Sequence, residues 1–202
     1  MIKNNYPGKF IVVEGLDGSG QSTQATKLVD FLNNNQHKAH LTKEPTASLI
    51  GGLIRSQLNH DWQSSQECFQ LLFCADRAHH LEKEIIPLLQ KGVNVVCDRY
   101  FFSTVAYGSL NIKDKNWLLE LNKNFLLPDL TILLKVPAKV CLERIHKNRY
   151  DIALFEKEEL LTGVAENFAK LAEEFKNIVV VDGDKPVEEV FEETKKAIEK
   201  VI

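Results

Sequence analysis

Several things are missing from this 202-residue chain. No apolar run approaches the roughly 18 residues of a membrane span. The opening residues, MIKNNYPGKF, contain no apolar core of a secretory leader. Neither membrane insertion nor secretion is expected, and a cytoplasmic protein is. Basic charge is not in excess: the net formal charge is −3. The surface therefore carries no broad footprint for nucleic acid, and an anionic ligand must be held by a local site. The four cysteines, Cys68, Cys74, Cys97 and Cys141, include no CxxC pair, which argues against a zinc or dithiol motif. All four are read as reduced thiols, with Cys97 a small core residue. The histidines offer no ligand spacing, since His79 and His80 adjoin and point apart on a helix. No repeat, low-complexity tract or linker breaks the chain.

What is present is alternation. FIVVE (10–14), HKAHLT (37–42), VNVVCD (93–98), LTILLKV (130–136) and NIVVVD (177–182) read as strands. Near-continuous apolar strands imply a sheet covered on both faces. Helices are expected over 19–32, 64–89, 138–147, 156–175 and 186–202. The second opens with Ser64-x-x-Glu67, a capping-box pattern, and Pro87 is expected to end or bend it. Leu161, Val164, Phe168, Leu171 and Phe175 form an apolar stripe at spacings of three and four. Strand–helix alternation over the whole length predicts a doubly wound α/β fold of one domain. Residues 147–159, KNRYDIALFEKEE, are the most charged and irregular, and read as a lid or a solvated loop.

One lysine is missing from a telling place. FIVVEGLDGSGQSTQAT (10–26) has the spacing of a phosphate-binding loop, Gly-x-x-x-x-Gly-Lys-Ser/Thr, from Gly15 to Ser22, but Gln21 stands at the lysine. Gly15, Gly18 and Gly20 clear side chains away so that backbone N–H groups point at phosphate oxygens. The helix that follows aims its positive end at the same anion. The loop Gly15, Leu16, Asp17, Gly18, Ser19, Gly20, Gln21, Ser22 and Thr23 is thus the candidate ATP site, with the Ser22 hydroxyl on Mg²⁺. Gln21 keeps a donor but loses a full charge.

Two further stretches carry chemistry. In VVCDRYFFSTVAYG (95–108), Asp98 ends a buried strand, where open parallel sheets hold ligands. It is placed to orient Mg²⁺ through water, and Arg99 to grip a phosphate with two parallel hydrogen bonds. In LLFCADRAHH (71–80), Phe73 and Arg77 share a helical face. A flat aromatic beside a guanidinium suits a nucleobase; a core Phe beside an exposed Arg is the plainer alternative.

Taken together, FIVVEGLDGSGQSTQ, KEPT (43–46), LLFCADRAHH, CDRYFFSTVAY, PDLTILLKVP (128–137), NRYDIALFE (148–156) and VDGDKPVEEV (181–190) resemble the thymidylate kinase (dTMP kinase) family over nearly the whole chain. LLFxADR followed by DRYxxSxxAY is the specific part. The resemblance implies a three-layer α/β/α P-loop nucleoside monophosphate kinase fold around a five-stranded parallel sheet. It implies transfer of the ATP γ-phosphoryl to dTMP with Mg²⁺, and a homodimer. It places Asp17 toward the acceptor sugar and phosphate, Glu44 and Pro45 in the acceptor pocket, and Phe73 stacked on thymine. It puts Arg77 and Thr104 at the base, Arg99 on the acceptor phosphate and Tyr107 on the deoxyribose. Arg149, Lys147 and Arg144 correspond to a basic lid, at about 143–157, over the ATP phosphates.

The chain departs from that pattern at Gln21, at Gly18, where some members carry arginine, at Gly108, where many bacterial members carry Gln, and mildly at Lys43. The catalytic set expected is Arg149, Lys147, Arg144, Asp98 and Gln21. Two alternatives stay open on the sequence: a kinase for another nucleoside monophosphate or a deoxynucleoside, and a nucleotide-binding protein of weak or no activity.

Overall fold

The computed structural model describes residues 1–148 and 157–202. Its main sheet has five parallel strands: β2 (Phe10–Gly15), β3 (Ala39–Lys43), β4 (Asn94–Asp98), β6 (Leu130–Lys135) and β7 (Ile178–Asp182), in the order β3-β4-β2-β6-β7. A small parallel pair, β1 (Ile2–Lys3) and β5 (Leu126–Leu127), lies apart from it. Every residue of β2 is buried, and the strand's period of two divides its side chains between two cores. Phe10 and Val12 join Val95, Cys97 and Leu133 on one face. Ile11 and Val13 join Val96, Ile132 and Leu134 on the other.

Helices α1 (Gln21–Asn34) and α9 (Val187–Ile198) close the second face through Leu28, Leu32, Val190 and Phe191. The first face is closed by α5 (Phe101–Gly108), α8 (Glu158–Glu174) and α4 (Ile86–Gln90). The remaining helices are α2 (Leu49–Leu58), α3 (Gln66–His80), α6 (Lys115–Asn122) and α7 (Ala138–Asn148). The five sequence-predicted strands all form, within two residues at their starts. The capping box does not: Ser65, not Ser64, caps α3, accepting from the Cys68 N–H. Ser64 turns its hydroxyl to Gln57 instead. Pro87 neither ends nor breaks the long helix at that point, because a π-type turn, Leu81–Ile85, carries α3 into α4. Among the described residues, no helix is long and apolar enough to cross a membrane.

From β2 the chain turns first toward β3 and β4 and later to β6 and β7 on the opposite side. That reversal opens a crevice at the carboxyl ends of the strands, where such sheets take ligands. The register sets Asp98 beside Val13 and Lys43 at this edge.

Candidate active site

The glycine loop leaves β2 at Gly15 and enters α1 without a side-chain cap. Gly20 occupies the cap at φ 93° and Gly18 precedes it at φ 81°, backbone that L side chains resist. At Gly18 a Cβ would also sit 2.5 Å from the Cys141 carbonyl oxygen, so the loop packs too closely on α7 for a side chain at this position. The first amide of α1 with a carbonyl partner is Gln24, bonded to Gly20. The amides before it face the crevice end of the helix as an anion site. Gln21 is buried, and its Oε1 accepts a hydrogen bond from Ser19 Oγ at 3.1 Å. The side chain that replaces the lysine therefore folds back over its own loop.

One residue on, Ser22 Oγ donates to Asp98 Oδ2 at 2.5 Å. The other carboxylate oxygen, Oδ1, is buried without a partner among the described residues. A hydroxyl and a carboxylate with an unused oxygen suit a hard cation that keeps most of its ligands as water and phosphate. No group of three or more His, Cys, Asp or Glu that could hold a metal is found among the described residues.

Asp17 and Arg99 meet between the loop and the acceptor wall. Arg99 Nη2 donates to Asp17 Oδ1 at 2.6 Å, and Nη1 to the Gly15 carbonyl and Ser103 Oγ. Tyr107 donates to Asp17 Oδ2 at 3.2 Å and accepts from the Asp17 amide at 3.1 Å. Burial works against the Arg99 charge, but Asp17, Tyr107, Asp98 and Glu14 outweigh it and hold its pKa above the ordinary arginine value. Arg99 takes φ 69°, a left-handed backbone, at the turn from β4 into α5. The wholly buried Glu14 fixes that turn: it accepts from the amides of Tyr100 and Ser103 and from the Ser103 hydroxyl. It thereby does for α5 what a capping side chain does, from a neighbouring strand. Burial raises the Glu14 pKa from 4.5 to about 7, against the pull of Ser103, Arg99 and the two amides.

The acceptor wall is made by α3 and α5. Arg77 is neither exposed nor unpaired. Its Nε and Nη2 donate to Glu44 Oε2 at 2.9 and 2.7 Å, Nη1 to Asn122 Oδ1 at 2.6 Å and Nη2 to Thr104 Oγ1 at 2.8 Å. His80, also buried, bonds the second Glu44 oxygen and Thr42. Glu44 thus anchors Arg77, and the Thr104 hydroxyl, accepting from Arg77, keeps its own hydrogen to donate. Asp76 holds the KEPT turn by accepting from Thr46 N, Thr46 Oγ1 and Ser48 Oγ.

Asp17, Gln21, Ser22, Glu44, Arg77, Asp98, Arg99, Thr104 and Tyr107 all line one cavity of about 950 Å³. It runs from Gly18 to Thr23 of the loop, past Asp98, Arg99 and Tyr107, to Glu44, Pro45, Phe73, Arg77 and Thr104. Arg144 reaches it from α7, donating to the Gly183 carbonyl and Asp184. Lys147, on the last turn of α7, is exposed and is not among the described residues lining the cavity. Arg149 lies outside the described residues. Among the lining residues that escaped the sequence reading are two polar side chains, one on α2 and one on α3. Arg55 of α2 donates to the Pro45 and Thr46 carbonyls, and Gln70 of α3 faces the bare Cα of Gly108.

A phosphate loop on the central strand, joined by one cavity to a wall built from an aromatic ring and a buried guanidinium, defines a nucleotide kinase of the P-loop class. The family model for thymidylate kinase matches residues 13–194. The chain is similar to a probable thymidylate kinase of Pyrococcus horikoshii, 42% identical over 91% of this chain and 92% of the relative. It is similar to that of Archaeoglobus fulgidus at 40% identity over 94% of each, and to that of Thermococcus kodakarensis at 37% over 96% and 98%. The chain belongs to the thymidylate kinase family, and it is an ATP-dependent nucleoside monophosphate kinase.

Proposed function

We propose that the chain transfers the γ-phosphoryl group of ATP to dTMP, giving dTDP and ADP, for dTTP synthesis. The observation that carries this reading is the single cavity that joins the glycine loop to the Phe73, Arg77 and Thr104 wall through Asp17 and Arg99. Two nucleotides held in line across that joint need little covalent help, since phosphoryl transfer rests on positioning and charge.

Each part then has a task. The loop amides hold the ATP phosphates. Ser22 and Asp98 are assigned to Mg²⁺, which when bound would neutralise charge on the polyphosphate. Arg99, with Arg55 from the facing helix, grips the acceptor phosphate, and Asp17 keeps the Arg99 fork aimed. Phe73 stacks on the base. Arg77, held by Glu44 and Asn122, presents its remaining Nη1 hydrogen and the Thr104 hydroxyl to the base edge, and Tyr107 packs on the deoxyribose. Arg144, already at the cavity, supplies cationic charge that Gln21 lacks. Arg149 and Lys147 belong to the same lid, at about 143–157, of one kinase domain. An arginine brought to such a site is worth about 10³–10⁵ in rate.

A homodimer and a cytoplasmic setting complete the reading. Leu49, Leu53 and Leu71, exposed on the packed pair α2 and α3, suit a partner copy. The four free thiols suit a reducing compartment.

Release of ADP with dTMP, dUMP, dCMP, dGMP, AMP and thymidine as acceptors tests the reading. dTMP gives the highest kcat/KM; a panel led by another acceptor overturns it.

A further inference from the structure

We infer that Gln70 reads the pyrimidine edge of the acceptor from the space that Gly108 leaves free. The inference rests on the dTMP reading above and deepens it.

The observation is a pairing across the two helices of the acceptor wall. Gln70, Phe73 and Arg77 stand at spacings of three and four along α3, so they share one face, and all three line the cavity. Opposite them on α5, Thr104 and Gly108 are one turn apart. Arg77 meets Thr104 at 2.8 Å. Gln70 meets Gly108, with its amide lying over the bare Cα. A Cβ built on Gly108 would sit 3.0 Å from Gln70 Cδ and Oε1 and 3.2 Å from Nε2. The glycine thus makes the room that the glutamine amide fills. Gln70 is 4% exposed, and its Oε1 is buried with no partner among the described residues.

A buried amide oxygen without a donor is costly, and native folds rarely keep one without a use. The cavity it lines is the place for a donor. A side-chain amide offers an acceptor and a two-hydrogen donor side by side, which matches the N3–H and carbonyl edge of a thymine stacked on Phe73. Cytosine fits less well. Its N3 has no hydrogen for Oε1, and turning the edge over sets its amine against the N–H groups of Arg77. A site built around a hydrogen bond rejects a ligand that cannot make it, because the protein group is left unpaired.

The test compares kcat and KM for dTMP and dCMP in wild type, Gln70→Leu, Gly108→Gln, and the double variant Gln70→Ala/Gly108→Gln. Gln70→Leu keeps the volume, so a folded protein is expected, and thermal unfolding checks it. The inference expects Gln70→Leu to raise KM for dTMP about 10- to 100-fold, with KM for ATP unchanged, and to narrow the dTMP:dCMP preference by a similar factor. Gly108→Gln alone crowds Gln70 and weakens dTMP binding. The double variant, with an amide supplied from α5 instead of α3, regains at least a tenfold part of the lost preference. If wild type prefers dTMP and Gln70→Leu keeps both KM and preference, the inference is overturned while the dTMP reading stands. If wild type does not use dTMP, both fall.

Discussion

Asp17 and Arg99 lie in the segments that follow two different strands, β2 and β4, and meet at 2.6 Å in the cavity lining. The loop assigned to one nucleotide is thereby tied to the arginine assigned to the other. Tyr107 bonds the second Asp17 oxygen, so the carboxylate is braced from both sides. Any change at this pair moves the two halves of the site relative to each other.

Asp17→Asn is therefore expected to act on the reaction more than on the fold. It removes the charge that aims Arg99, and a misplacement of about 1 Å in such a site costs on the order of 10² in rate. Steady-state kinetics should show kcat/KM for dTMP down by about that factor, with KM for ATP changed little. A rise confined to KM for ATP would assign Asp17 to the other nucleotide.

Gln21 and Arg144 form a second testable pair. If the arginine makes up for the missing ammonium, the two substitutions are not additive. Arg144→Ala should lower kcat by tenfold or more in wild type, and by distinctly less in a Gln21→Lys background. Gln21→Lys alone should gain less than the 10²–10³ that a single lost donor costs in a well-ordered site. Equal losses from Arg144→Ala in both backgrounds would dismiss the compensation.

Glu14 makes stability depend on pH with an unusual sign. Unfolded, it ionises near 4.5; folded, at about 7. Between those values the folded chain holds a proton that the unfolded chain has released, so stability falls as pH rises. The contribution is fully present below pH 4.5 and lost as pH rises through about 7. It amounts to about 3 kcal/mol at 1.36 kcal/mol per pKa unit. Urea unfolding at pH 5 and pH 8 should show wild type losing more stability than Glu14→Gln; parallel losses would contradict this.

Much of the fold was legible because the central strands are buried on both faces, so FIVVE and VNVVCD read as continuous apolar runs. The helices that escaped are short and lack a clean stripe. α5 is apolar nearly throughout, and α2 is interrupted by Gly51 and Gly52. Gly51 is there because a Cβ would collide with the Thr46 carbonyl, a contact that no local pattern shows. The site divided in the same way. The glycine loop, Asp98 and Arg99 lie in local motifs that state their own chemistry. Arg55 and Gln70 acquire meaning only from what the fold sets opposite them. The plainer reading of Arg77 as an exposed arginine failed for that reason too: Glu44 and Asn122, which bury it, lie 33 and 45 residues away.

The central claim, phosphoryl transfer between two nucleotides in one cleft, is tested most directly by following label from [γ-³²P]ATP in the presence of Mg²⁺ and dTMP. The account predicts that label appears in dTDP, one per ADP formed, and that omission of dTMP stops its release. Label recovered only as inorganic phosphate, or left in ATP, would contradict it.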